Sequence, residues 1–200
     1  MMQNLYRITF SLFLLVICAA STNSQTVPET PEQFAERYMT ATVAKDWATI
    51  TQMIHPEAHE RFKKIFAEII AADKTMGVAK FFNVRNKQEF DALPAETVLE
   101  RMMRNLTRNE PTVGEALTNL RTRIIGHVKE EADLAYVVYR TETNIGGATF
   151  SKLAILPLKK DKGAWLALLT GDMENLAQIF QQKQNTTSPK PKAASSKRSD

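Results

Sequence analysis

Two stretches decide how this chain folds: residues 134–143, Leu-Ala-Tyr-Val-Val-Tyr-Arg-Thr-Glu-Thr, and residues 150–158, Phe-Ser-Lys-Leu-Ala-Ile-Leu-Pro-Leu. Both are rich in β-branched and aromatic side chains, which suit a pleated, half-buried surface. Between them lies Ile145-Gly146-Gly147-Ala148, a turn signal. Upstream, residues 119–130 mix alternation with the pair Ile124-Ile125. Downstream, Asp161-Lys162-Gly163 is a hairpin turn leading into a fourth run from Ala164 to Thr170. All the connections are too short for the crossovers that parallel strands need. The reading is four consecutive strands in an antiparallel meander.

The period is different before residue 118. Thr30-Pro31-Glu32-Gln33 carries an N-cap residue, proline at the first helical position, and an acid and an amide in the first turn. Phe34, Tyr38, Ala41 and Thr42 then recur at helical spacing until about Lys45-Asp46, and Trp47, Ile50, Met53 and Ile54 make a short second helix. His55-Pro56-Glu57 opens a third, in which Phe62, Ile65, Phe66, Ile69 and Ile70 fall at i, i+3, i+4, i+7 and i+8. Residues 78–93 read as short elements anchored by Phe81, Phe82, Phe90 and Leu93. A further helix starts at Leu93-Pro94-Ala95-Glu96 and buries Val98, Leu99, Met102, Met103 and Leu106. Asp172 to Gln182 is a closing helix, with Met173, Leu176, Ala177 and Phe180 on one face. The fold class is therefore α+β: N-terminal helices packed on a curved four-stranded antiparallel meander.

The ends of the chain are of another kind. Arg7 precedes an apolar run, Phe10 to Ala20, that is interrupted by Ser11 and too short to span a bilayer. This is the layout of a secretory signal, with cleavage after Ala20 or Ser24. The only cysteine, Cys18, lies within it, so a cleaved chain has no disulfide. The expected organisation is a signal peptide over 1–24, a linker over 25–30, one domain over 31–182, and a disordered Lys/Pro/Ser tail over 183–200. Export to a periplasmic or extracellular compartment follows, with no stable membrane span once the signal is removed. Of 26 Lys and Arg, one is Arg7 and five lie beyond residue 182; of 22 Asp and Glu, Glu29 and Asp200 lie outside the domain. The 20 charges of each sign left between residues 31 and 180 make a neutral domain, which excludes a nucleic-acid surface built on a basic field.

Helices followed by an antiparallel meander resemble the nuclear transport factor 2-like superfamily, a cone-shaped (cystatin-like) α+β fold. Phe34-Ala35-Glu36-Arg37-Tyr38-Met39 with Ala44-Lys45-Asp46-Trp47 resembles its opening helix and the turn after it. Met53-Ile54-His55-Pro56-Glu57 is similar to its next step, and Gly163-Ala164-Trp165-Leu166 to its final strand. The resemblance covers about residues 31–170; the helical stretch around 75–118 departs from the smallest members. It implies a concave sheet closed by helices around an apolar pocket, and often a homodimer formed sheet to sheet. It does not imply one activity, since isomerases, dehydratases, binding domains and dimerisation modules share the fold.

The candidate pocket residues are Tyr38, Trp47, Tyr136, Arg140 and Trp165. Arg140 and Lys152 sit among apolar strand residues and would hold an anion if they faced the concavity. Isomerase chemistry of the ketosteroid type needs a carboxylate base with Tyr and a protonated acid; Tyr38, Tyr136, Tyr139, Asp46 and Asp172 supply those residue types but no motif. Asp46 and Asp172 read first as helix caps, and Tyr136 and Tyr139 point to opposite faces of one strand. His55 and His59, four apart on a helix, are weak metal candidates without a third ligand. No catalytic residue, metal or cofactor is assigned. The expected function is an exported, non-catalytic domain that binds a small apolar ligand or a protein partner. The alternatives are an isomerase-like or cyclase-like enzyme using a pocket carboxylate, and a cell-envelope interaction module acting through the tail.

Overall fold

The computed structural model describes residues 28–73, 77–173 and 175. The expected signal peptide, the tail over 183–200 and most of the closing helix lie outside the described residues. Among the described residues seven helices come first: α1 (Pro31–Ala44), α2 (Trp47–Gln52), α3 (Pro56–Ala72), α4 (Gly77–Phe81), α5 (Lys87–Asp91), α6 (Ala95–Asn109) and α7 (Pro111–Thr118). Four strands follow: β1 (Arg121–Lys129), β2 (Leu134–Ile145), β3 (Ala148–Asp161) and β4 (Ala164–Ala167). They form one open antiparallel sheet in the order β1-β2-β3-β4. This is the expected α+β meander.

The helix starts are made where the sequence marks them. Thr30 accepts from the Gln33 amide while the Gln33 side chain accepts from the Thr30 amide, a reciprocal capping box ahead of Pro31. Asp46 caps α2 by accepting from the Thr49 amide, and His55 caps α3 by accepting from the Glu57 amide. Residues 78–93 resolve into two five-residue helices, α4 and α5, too short to stand alone. They are held by the fully buried Phe82 and Phe90: Phe90 packs on Phe82, and Phe82 on Phe66 of α3, which in turn meets Phe62. Lys63 ties α3 to the same region by donating to the Asp91 and Leu93 carbonyls.

The sheet register is set by two tight turns. Gly146 and Gly147 both have positive φ (59° and 84°) in the two-residue loop joining β2 to β3, and Lys162 and Gly163 (50° and 87°) repeat this between β3 and β4. Such turns match the twist of the strands they join. From Leu134↔Lys159 to Ile145↔Ala148 the β2–β3 pairing is uninterrupted. β1 carries one irregularity, between Ile124 and Gly126, which leaves Ile125 as the extra residue of a bulge. The strands differ in extent from the expectation: β1 is slightly shorter than 119–130, and β2 continues past Thr143 to Ile145. β3 is longer at both ends than Phe150–Leu158, and β4 stops at Ala167 rather than Thr170. β4 ends early because its backbone turns to the helices: the Ala167 amide donates to the Met53 carbonyl, and the His55 amide donates to the Ala167 carbonyl, each at 2.8 Å.

Ala135 and Val137 of β2, Leu156 and Leu158 of β3, and Trp165 and Ala167 of β4 are buried on the inner face, against Phe34, Met39, Ile50 and Met53 of α1 and the α2 region. α1 lies on β1 and β2, α7 lies on β2, and α3 and α6 pack on each other. Leu156 and Leu153 lie three residues apart on opposite faces of β3; one is fully buried and the other 53% exposed. Leu156→Ala is expected to lower the unfolding free energy by ~2–5 kcal/mol through the cavity it leaves. Leu153→Ala is expected to stay within about 0.5 kcal/mol. Urea unfolding of the two variants measures the contrast, and equal losses would show that the sheet faces are assigned wrongly.

Candidate functional site

The alternation that buries one row of side chains on the sheet leaves another row outside. Val138 pairs with Ile155, Tyr136 with Pro157 and with Val128, and Arg140 with Leu153 and with Arg123. These residues share the parity opposite to Val137 and Leu156, so they form the outer face. Val128, Leu153 and Ile155 are 61%, 53% and 54% exposed, and Ile125 at the bulge is 52% exposed. Isolated exposed apolar residues are ordinary; here they stand on β1 and β3 on either side of the half-buried Val138 of β2.

The five candidate pocket residues do not come together. Tyr38, Trp47 and Trp165 lie on the helix side: Trp47 and Trp165 are buried in the core, and Tyr38 packs against it beside Phe34. Trp165 also carries the Lys160 ammonium over its ring, 4.7 Å from the centroid. Tyr136 and Arg140 lie on the outer face. Glu130, at the Tyr136 hydroxyl, pushes that phenol above its usual pKa.

Instead, the inner side gathers groups that the sequence shows only as scattered residue types. Tyr139, of the buried parity, faces Tyr38; burial raises both phenols, and each has a further contribution, from Tyr139 at Tyr38 and from Asp172 at Tyr139. Asp172 does not cap a helix as the sequence suggested. The last described turn begins at Gly171, and Asp172 pairs with Lys152 at 2.5 Å. The Asp172 carboxylate is more than half exposed, unlike the desolvated acid that holds an enolate in isomerase chemistry. Lys152, opposite Thr141, is on the helix side of the sheet but is spent on this ion pair.

His55 and His59 each make a local hydrogen bond. His55 is occupied by its cap, and His59 is buried with its Nε2–H donating to the Thr51 carbonyl at 2.9 Å. His59 Nδ1 has no partner and is buried, so the ring is neutral in the folded chain; desolvation pushes its pKa below the usual imidazole value. Among the described residues no group of three metal-ligating side chains exists. A surface cleft of about 370 Å³ borders His59, Glu60, Glu96 and Leu166, and another of about 560 Å³ is lined by Thr118, Asn119, Arg121, Glu142 and Asn144. Neither includes any of the five candidate pocket residues. Among the described residues no helix is long and apolar enough to cross a membrane.

Comparison with known proteins gives similarity of shape at low identity. The chain is similar to the solution structure of a SEC-C motif containing protein from Rhodopseudomonas palustris (15% identity, TM-score 0.39, 70% of this chain and 76% of that one). It is also similar to an NTF-2 like protein of unknown function from Shewanella oneidensis MR-1 (14% identity, TM-score 0.39, 68% of this chain and 89% of that one). No family model and no curated protein matches.

The buried neutral His59 has a pH consequence. Its folded-state pKa is depressed, so below about pH 6.5 the unfolded chain binds a proton that the folded chain refuses. The stabilisation it contributes is present above that pH and is lost as pH falls through the folded value. Melting temperatures measured from pH 8 down to about pH 5 should decline below about 6.5. His59→Gln, whose amide can still donate to Thr51, should flatten that decline. An unchanged slope would assign the pH dependence to other groups.

Proposed function

We propose that this domain is a non-catalytic binding module that engages a protein partner through the outer face of its sheet, after export directed by the apolar N-terminal run. A second copy of the chain is the simplest occupant. The observation that carries this reading is the row Val128, Val138, Leu153 and Ile155, apolar residues of three adjacent strands left outside while the opposite face is packed. Burying such a row against a partner contributes roughly 25 cal/mol per Å² of apolar surface. The inner side favours a ligand less: its aromatic residues are part of the core, and its exposed carboxylate is already paired with a lysine.

Sedimentation velocity over a wide concentration range tests the reading. The unmodified protein is expected to show a reversible dimer. Ile155→Glu, which places a charge at the centre of the outer face, is expected to weaken it by a factor of about 100 or more with the melting temperature retained. A monomer at every concentration, with a small mass retained in native mass spectrometry, would overturn it in favour of a ligand pocket.

A further inference from the structure

The outer face is not only apolar; its two ends carry opposite charge. At one end Arg123 and Arg140 are direct cross-strand partners. Like charges placed opposite each other on a sheet cost stability, and among the described residues neither guanidinium meets a carboxylate. Arg140 donates to the Ser151 hydroxyl at 3.3 Å. The nearest acid on β2, Glu142, lies opposite a third arginine, Arg121. At the other end, Glu130 and Glu131 follow β1 and stand beside the half-buried Tyr136; among the described residues neither has an ion-pair partner, and the lysine at that end, Lys159, is taken by Glu57. Between the ends lies the apolar middle, the Val138–Ile155 pair, with Tyr136 and Pro157 on the acidic side and Leu153 on the basic side.

This layout is complementary to itself when reversed. Arg140 and Tyr136 are four residues apart on β2, about 13 Å at 3.3 Å per residue, with Val138 midway. A twofold axis through the Val138–Ile155 pair lays the basic end of one copy over the acidic end of the other. The arginines then also approach the Tyr136 ring, a favourable cation–π geometry. In a closed twofold interface each such contact is made twice. We propose that two copies pair antiparallel across this face and that Arg123 and Arg140 of one copy, set against Glu130 and Glu131 of the other, determine which partner and which orientation are accepted. The inference rests on the outer face being the binding surface. It adds that charge selects the orientation, where apolar burial alone would accept several.

A charge-reversal exchange tests it in the full-length protein. R123E/R140E and E130K/E131K are prepared separately, and their folding is checked by melting temperature. Each alone is expected to form a dimer at least about tenfold weaker than the unmodified protein, because the reversed ends repel. Mixed in equal amounts, the two are expected to regain a dimer near the original affinity, now a heterodimer. If each variant dimerises as tightly as the unmodified protein, or if the mixture stays monomeric, the charge pairing is overturned while the outer-face reading stands. An unmodified protein that is monomeric removes both. If a reversed variant fails to fold, the salt dependence of the unmodified dimer decides. Affinity should fall as ionic strength rises, and an affinity indifferent to salt overturns the inference.

Discussion

The unbroken pairing of β2 with β3 is the constraint on which the rest of this structure depends. Twelve residue pairs run from Leu134↔Lys159 to Ile145↔Ala148 without a bulge, closed by the Gly146-Gly147 turn. A pleated strand turns alternate side chains to opposite faces, so this register settles together which residues meet α1 and α7 and which meet solvent. A slip of β2 by one residue against β3 would bury Tyr136, Val138 and Arg140 and expose Val137. Arg140 would then be carried into the core with no carboxylate waiting for it, at a cost that desolvation makes prohibitive. Register and core composition therefore enforce each other.

The helices complete the inner face and attach the sheet by its edge. β4 contributes four residues to pairing with β3, yet it makes two backbone hydrogen bonds with the Met53–His55 junction, donating one and accepting the other. Its edge is satisfied by the helical layer rather than by a fifth strand, one of the ways in which exposed strand edges are managed. The same junction places His59, which donates back to Thr51, and Trp47, which is buried in the core. Residues that look chemically suggestive in isolation, a pair of histidines and a tryptophan, are here consumed in holding α2, α3 and β4 together. Among the described residues, the opposite face of the sheet carries the exposed apolar side chains Val128, Leu153 and Ile155.

Much of this was legible in the residues. Period-3.6 stretches marked α1, α3 and α6, and the caps Thr30, Asp46 and His55 act as their residue types suggest. The four strands and both tight turns were likewise visible, because glycine at positive φ and alternation of apolar residues are local properties. The ends of β3 and β4 were not. β3 extends because β2 continues beside it, and β4 stops because its backbone is captured by residues more than a hundred positions earlier. α7 was hidden as a separate element inside a longer helical stretch. The candidate site was less readable than the fold. Tyr136 and Arg140 were grouped with Tyr38, Trp47 and Trp165, although parity along β2 already separates Tyr136 from Tyr139. Local pattern shows that two faces exist, but it does not show which one the helices choose.

By itself, the sequence determined the class of the fold, the order of its elements, the positions of its turns and the neutrality of the domain, since each follows from short-range spacing and composition. Only the tertiary structure decided that Val137 and Leu156 are inside while Val138 and Ile155 are outside, that Asp172 neutralises Lys152, and that Arg123 stands opposite Arg140. Both parities of β2 and β3 carry apolar side chains, so hydrophobicity alone ranks neither face as the interior. The choice is made by which face can close around Phe34 and the helices behind it at native packing density.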